Sequence, residues 1–170
     1  LARMVSDMLF LAKADRGIAL PNPEKLELSD EVSALFEFYE AVAEDLGIEL
    51  TAEGHGQVFG DRLMIRRAIS NLLSNALRHA ERNTKVTVAV MTRESEVTLS
   101  VSNKGTSIGR EHLSRLFDRF YRVDKARTRP ESDGAGLGLA ITSAIMQAHH
   151  GRIDVVSEAE RTTFSLHFPS

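Results

Sequence analysis

Asn71-Leu72-Leu73-Ser74-Asn75-Ala76-Leu77-Arg78-His79-Ala80 reads as one helix with two chemistries. At 3.6 residues per turn, Asn71, Asn75, Arg78 and His79 fall within roughly 100° of one another, while Ile65, Ile69, Leu72, Leu73, Ala76 and Ala80 gather on the far side. One face packs and the other is available for chemistry. Hard cations prefer oxygen ligands, and Mg²⁺ keeps several waters and bridges to phosphate oxygens. An amide oxygen from Asn75 beside the cation of Arg78 therefore suits a magnesium-bound nucleotide. A solvated polar face would show the same pattern, although two asparagines inside a helix are poor helix formers.

Three further stretches bear on that choice. Asp133-Gly134-Ala135-Gly136-Leu137-Gly138-Leu139-Ala140-Ile141 places alternating glycines before an apolar helical run, with Leu137, Ile141, Ala144, Ile145 and Ala148 at helical spacing. Such glycine density suggests a backbone that approaches something closely, and a helix N-terminus reached through glycines offers unpaired N–H groups to a phosphate. Asn103-Lys104-Gly105-Thr106-Ser107 ends the alternating strand Val97, Leu99, Val101. Leu116-Phe117-Asp118-Arg119-Phe120-Tyr121-Arg122-Val123-Asp124 is aromatic and basic, and leads into a polar run from Lys125 to Ser132 without a large apolar side chain.

The order of these elements resembles the ATP-binding catalytic domain of sensor histidine kinases, which shares the Bergerat fold with the Hsp90, gyrase and MutL ATPases. Asn71 to His79 looks like the N box, Asn103 to Ser107 the G1 box, Phe117 to Tyr121 the F box and Gly134 to Gly138 the G2 box. Met4 to Ala12, Arg66 to Asn75 and Glu111 to Asp124 are most similar to the copper- and silver-sensing branch of heavy-metal sensor kinases. The resemblance implies ATP and Mg²⁺ as cofactors, with Asn75 on the metal and Asn71 supporting its water shell and the phosphates. It makes Arg78 and Arg122 phosphate contacts, and places His79 beside the phosphates as a packing residue. The nucleotide would further be held by Asn103, Gly105, Ser107, Ile108, Phe117, Phe120, Tyr121, Gly134, Gly136, Leu137, Gly138 and Leu139. The polar run from Lys125 to Asp133 would act as a lid that is poorly ordered without nucleotide.

Three departures qualify what the resemblance implies. Gyrase-like and Hsp90-like ATPases carry a water-activating glutamate where this chain has Asn71, and an amide has no useful basicity near neutral pH. Transfer of phosphate to another side chain thus fits better than hydrolysis. The G1 box usually opens with an aspartate that accepts from the adenine amino group; Asn103 accepts only as a neutral oxygen, so nucleotide binding is expected to be weaker by about 1 kcal/mol, roughly fivefold. The last box reads Arg161-Thr162-Thr163-Phe164, with Arg161 where glycine is usual. The competing readings are a serine kinase or ATPase of the same superfamily, and a nucleotide-sensing module without turnover.

The histidines are His55, His79, His112, His149, His150 and His167, and none sits in the context of the family's phosphoacceptor box. The acceptor is expected upstream of Leu1, as are the membrane anchor and periplasmic sensor of an inner-membrane kinase whose catalytic part is cytoplasmic. The resemblance implies homodimerisation in the full-length kinase and a response regulator as partner. Adjacent His149 and His150 point apart on a helix and make a poor metal site.

With 170 residues and 42% hydrophobic composition the chain can bury one sizeable core. A net charge of −3, with cations clustered between Arg110 and Arg129, provides no global basic field for nucleic acid. There is no cysteine, hence no disulfide or thiolate metal site, and no apolar run reaches the 18 or so residues that span a bilayer. Leu1, Met4, Val5, Met8, Leu11 and Ala12 follow a 3/4 spacing suited to a coiled-coil seam, or to packing on the chain's own domain. The expected division is residues 1–15 as the end of a dimerisation helix, 16–25 as a linker broken by Gly17, Pro21 and Pro23, and 26–170 as the catalytic domain. A helix is expected from Asp30 to Leu46, capped by Ser29 or Asp30, with Val32, Leu35, Phe36, Tyr39, Val42 and Leu46 inward. Short strands follow at 48–51 and 57–59, the Asn helix from Asp61 to Ala80, and hairpins at 86–101 and 151–168. The fold class is α+β: a two-layer sandwich with a mixed, mostly antiparallel sheet of about five strands covered on one face by three helices.

Overall fold

A computed structural model of the chain describes residues 2–17, 19–122 and 136–169. Its central sheet contains β2 (Glu49–Gly54), β4 (Lys85–Thr92), β5 (Glu96–Lys104), β6 (Arg152–Glu158) and β7 (Arg161–Pro169), in the order β2-β4-β5-β7-β6. Only the β2–β4 pair is parallel; the other pairs are antiparallel. The period-2 pattern decides which face is buried. Val86, Val88 and Val90, Val97, Leu99 and Val101, and Phe164, Leu166 and Phe168 all point into the core. The residues between them form cross-strand hydroxyl pairs on the open face, Ser102 with Thr163 and Ser100 with Ser165 at 2.9 Å, and Thr51 with Thr87 at 2.8 Å.

The helices α2 (Leu28–Asp45), α3 (Arg62–His79) and α5 (Gly138–Ala148) cover the apolar face, and a four-residue α4 (Arg110–Leu113) precedes the aromatic segment. On α3, Ile65, Ile69, Leu72 and Leu73 are fully buried, and Ala76 nearly so. At about 1.5–3 kcal/mol per buried large aliphatic side chain, those four contribute on the order of 6–12 kcal/mol of transfer free energy before chain entropy is counted. The helix starts where expected, with Asp61 Oδ1 accepting from the Met64 N–H at 3.0 Å. It stops at Ala80, whose ψ of 141° leaves the helical region. The next residue is already tied to the sheet, since the Glu81 N–H donates to the Lys104 carbonyl at 2.8 Å. The C-terminal turn of α3 is thereby held against the end of β5.

Several boundaries differ from the sequence expectation. A strand that the sequence pattern did not announce, β1 (Pro23–Glu27), pairs antiparallel with β3 (Gln57–Asp61) in a separate two-stranded sheet. Such a pairing over a long sequence separation leaves no periodic signal in five residues. Helix α2 begins at Leu28, with Glu27 at the cap position and no side-chain capping bond, so neither Ser29 nor Asp30 caps it. Gly47 adopts φ +70° just past its end, as a helix stop does. Val42 and Leu46 are 48% and 41% exposed rather than inward, and Phe38 beside them is 76% exposed. The buried stripe of α2 is instead Leu28, Val32 and Ala43, with Leu35, Phe36 and Tyr39 half-buried against the core. Ile48 is buried but precedes β2.

Helix α1 (Ala2–Asp15) packs on the chain's own domain through part of its surface. Leu11 is buried against the core, Asp7 pairs with Arg67 of α3, and the Arg67 guanidinium lies 5.0 Å from the Phe10 ring centre. Met4, Val5, Met8 and Leu9 remain exposed. Among the described residues no helix is long and apolar enough to cross a membrane.

Candidate nucleotide site

The polar face of α3 runs beside the first turn of α5. Asn71 is half-buried, and its Nδ2 donates to the Gly138 carbonyl at 3.1 Å and to Thr142 Oγ1 at 3.2 Å. The two acceptors are neighbours, bonded to each other at 2.8 Å, and share the amide nitrogen between them. The Asn71 Oδ1 accepts no hydrogen bond among the described residues, and neither does the half-buried Asn75 carboxamide one turn further on. Positions four apart on a helix lie about 5–6 Å apart at Cβ, so two amide oxygens can serve one region. Arg78 and His79 are exposed at the end of the same face. Both have interaction partners. Neutral amide oxygens are hard donors that suit Mg²⁺, a cation that leaves most of its shell to water and phosphate. The chemistry of these donors is compatible with Mg²⁺ carried by a polyphosphate.

The loop after β5 is fixed from two sides. A Cβ on Gly105 would lie 2.4 Å from the His79 carbonyl oxygen, so only glycine lets the loop pass under the end of α3. The β6–β7 hairpin holds the other side. The Gly105 N–H donates to the Glu160 carbonyl, Ser107 Oγ accepts from the Glu160 N–H, and the Ile108 N–H donates to Ser157 Oγ at 2.7 Å. Both turn residues of that hairpin, Ala159 and Glu160, have positive φ. Asn103 is 3% exposed and faces Thr162 across the ladder. The Thr162 hydroxyl is taken by Ser157 at 2.7 Å, whereas the Asn103 carboxamide has no hydrogen-bond partner among the described residues. No fully enclosed side-chain nitrogen or oxygen lacks a partner there, which places the Asn103 amide at an opening of the fold. Arg161 starts β7 opposite Lys104, both at the rim.

The aromatic segment borders the same region. Phe117 packs edge-on against Phe164, with ring centres 6.3 Å apart, as a core aromatic does. Phe120 is 51% exposed with φ +64°, and its N–H donates to the Gly136 carbonyl at 3.2 Å. Gly136 has φ +77°, and a Cβ there would lie 2.9 Å from the Phe120 carbonyl carbon. Tyr121 is hydrogen-bonded to His112 and stacked under Arg115 at 4.5 Å. Arg122 is half-buried and has interaction partners of its own. Leu137 is fully buried, while Gly138 and Leu139 are half-buried at the start of α5. Gly134, and the lid expected from Lys125 to Asp133, lie outside the described residues. Two shallow cavities of about 240 and 370 Å³ sit elsewhere, one between α2 and β2, the other between α1 and α5.

At the far end of α5, His149 locks the helix to the start of α3. It is 4% exposed; its Nδ1 donates to the Ile145 carbonyl at 2.7 Å and its Nε2 accepts from the Asp61 N–H at 3.1 Å. These partners demand the neutral ring. Burial holds its pKa below the ordinary 6.5, outweighing the Ile145 hydrogen bond and the charge of Asp61, which act upward. A Cβ on Gly60 would lie 2.4 Å from His149 Cδ2, so the ring also fills the space a side chain would take.

A family model for histidine kinase-, DNA gyrase B-, and HSP90-like ATPases matches residues 60–170. The chain belongs to this family. The sensor histidine kinase CusS of Escherichia coli (strain K12) is 50% identical over 171 residues, covering 100% of this chain and 35% of CusS. The chain thus spans about a third of the length of that relative. Full-length ShkA in complex with AMPPNP superposes with a TM-score of 0.83 at 24% identity, covering 98% of this chain and 35% of that one. The histidine kinase ThkA in complex with response regulator protein TrrA gives 0.79 at 20% identity, covering 99% and 47%. The two structural likenesses bear on the fold, which is the two-layer α+β arrangement described above. The sequence reading missed Thr142, Ser157 and Glu160, which position site residues without belonging to a glycine- or asparagine-rich motif.

Proposed function

We propose that this chain binds ATP with Mg²⁺ and serves as the catalytic module of a sensor histidine kinase. It would pass the γ-phosphate to a histidine outside the 170 residues, for onward transfer to a response-regulator aspartate. The observation that carries the reading is the pair of amide oxygens, Asn71 Oδ1 and Asn75 Oδ1, one turn apart beside the α5 N-terminus and accepting nothing among the described residues. ShkA, a protein of the same fold, was solved with AMPPNP, and ThkA with a response regulator; both support the reading by analogy.

Phosphoryl transfer asks the protein mainly to align the terminal phosphate and offset its charge. Mg²⁺, when bound, would supply part of that charge; Asn75 would hold it and Asn71 would support its water shell. Arg78 and Arg122 would approach the phosphates, and the N-terminal turn of α5 with Gly136 and Gly138 offers backbone N–H groups. Asn103 accepts from the adenine edge at the mouth beside Gly105, with Ser107 and Ile108 keeping the loop in place. The Asn71 amide cannot activate water, which favours transfer over hydrolysis. Residues 1–15 are the end of a dimerisation helix whose exposed Met4, Val5, Met8 and Leu9 face a partner subunit, and the similarity to the copper- and silver-sensing branch makes the whole kinase metal-responsive.

The test is fluorescent-nucleotide binding with and without Mg²⁺. Asn75→Ala should abolish most of the Mg²⁺-dependent gain in affinity while leaving binding in chelator unchanged. An undiminished gain in Asn75→Ala overturns the site. Phosphotransfer from a protein extended to include the acceptor histidine separates a kinase from a binding module.

A further inference from the structure

We infer that Thr142 is a positioning residue that aims the Asn71 amide oxygen at the bound metal, an inference that rests on the nucleotide reading above. Thr142 lies on α5 with 0% exposure, yet it carries a hydroxyl in a position that otherwise contacts only core. The hydroxyl donates to the Gly138 carbonyl at 2.8 Å, one turn back, and its lone pair accepts from Asn71 Nδ2 at 3.2 Å. The same Nδ2 donates to Gly138 at 3.1 Å. Three groups on two helices therefore close a small hydrogen-bonded ring.

That ring removes an ambiguity intrinsic to asparagine. A carboxamide rotated by 180° would bring its oxygen against the Gly138 carbonyl oxygen, to which Thr142 already donates. The amide nitrogen is therefore held on the α5 side, shared between the two neighbouring acceptors, and the planar carboxamide carries Oδ1 to the other side of Cγ. Without the hydroxyl, one of the two bonds that select this orientation is gone. A valine would fill the same volume with no polar atom, so packing alone gives no reason for threonine here.

The experiment compares Thr142→Val, Thr142→Ala and Thr142→Ser with wild type, measuring the affinity of trinitrophenyl-ATP with Mg²⁺ and with chelator, alongside thermal unfolding. Losing one hydrogen bond of the clamp should reduce the Mg²⁺-dependent gain about three- to tenfold in T142V and T142A, with binding in chelator unchanged, while T142S keeps the wild-type gain. Stability should rank T142V above T142S, the reverse of their order in Mg²⁺-dependent gain, since serine loses a buried methyl group and valine does not; T142A should be low in both. A purely structural threonine cannot invert the valine and serine variants in this way. A wild-type gain in T142V and T142A, with the gain lost in Asn71→Ala, overturns the positioning role alone. A wild-type gain in all of these and in Asn75→Ala overturns the parent reading, and this inference with it.

Discussion

Acidification should loosen the junction of α3, α5 and β3 through one ring. His149 Nε2 accepts from the Asp61 N–H and Nδ1 donates to Ile145, so a second ring proton has nowhere to go except against another N–H. Its folded pKa lies below the ordinary 6.5 because the ring is buried. For a histidine depressed in this way, the unfolded chain binds the extra proton more readily. The stabilising contribution is thus fully present above pH 6.5 and is lost as pH falls toward the folded value. The slope cannot exceed about 1.4 kcal/mol per pH unit for one proton, so going from pH 6.5 to pH 5.5 costs at most about 1.4 kcal/mol from this site. Urea unfolding at a series of pH values would read it. His149→Gln is the informative control: its side-chain oxygen can still accept from Asp61, but nothing titrates. That variant should lose about 1 kcal/mol at pH 7.5 with the Ile145 bond and show a flatter dependence below pH 6.5. An identical slope in wild type and His149→Gln would refute the assignment of the effect to this ring.

Other substitutions probe the remaining features. Gly105→Ala would push a methyl group into the His79 carbonyl oxygen at 2.4 Å; the loop must move, lowering stability by about 1–3 kcal/mol and weakening nucleotide binding, and an unchanged unfolding midpoint would count against the close approach. Asn103→Asp should tighten nucleotide binding about fivefold by making the adenine contact charge-assisted; calorimetry giving unchanged or weaker binding would dismiss that account of the opening beside Gly105. Leu72→Ala, at a fully buried position of α3, should cost about 2–5 kcal/mol in chemical denaturation, and a loss under 1 kcal/mol would mean that the packing face of α3 is misassigned.

Where the fold was legible in the sequence, a periodic pattern was long enough to exclude its rivals. The 18 residues of α3 separate cleanly into buried aliphatics and a polar strip, and the Val-rich hairpin alternates from Val86 to Val90 and again, past its turn, from Val97 to Val101. The β1–β3 pair was hidden because its five-residue strands meet across the whole of α2, with Leu26 and Val58 as its buried apolar side chains to mark an inside. On α2 the apolar residues outnumber the positions that face the sheet, so composition pointed Val42 and Leu46 inward although geometry leaves them at the surface. The site shows the same division. Glycine positions that demand glycine, Gly105 and Gly136, were visible as motifs, whereas Thr142 and Ser157 look like ordinary helix and strand residues until their partners from distant segments arrive.

The polar strip of α3 can hold two asparagines because the helix is fixed at three places along its length. At its start, Asp61 caps the first turn with one carboxylate oxygen, accepts from the Asn22 N–H with the other, and donates its own N–H to His149. In its middle, Asn71 is clamped by Gly138 and Thr142. At its end, the Glu81 N–H holds Lys104, and Gly105 slides under the His79 carbonyl. The first two anchors tie α3 to the two ends of α5 and the third ties it to the end of β5, so rotation about the helix axis by even one residue, about 100°, would break all three at once. The low helix propensity of two asparagines costs only about 0.5–0.7 kcal/mol each, small beside the transfer free energy of the buried face. Helical stability therefore comes from the hydrophobic half and the anchors, and the polar half is left to be chosen for what it presents to the groove.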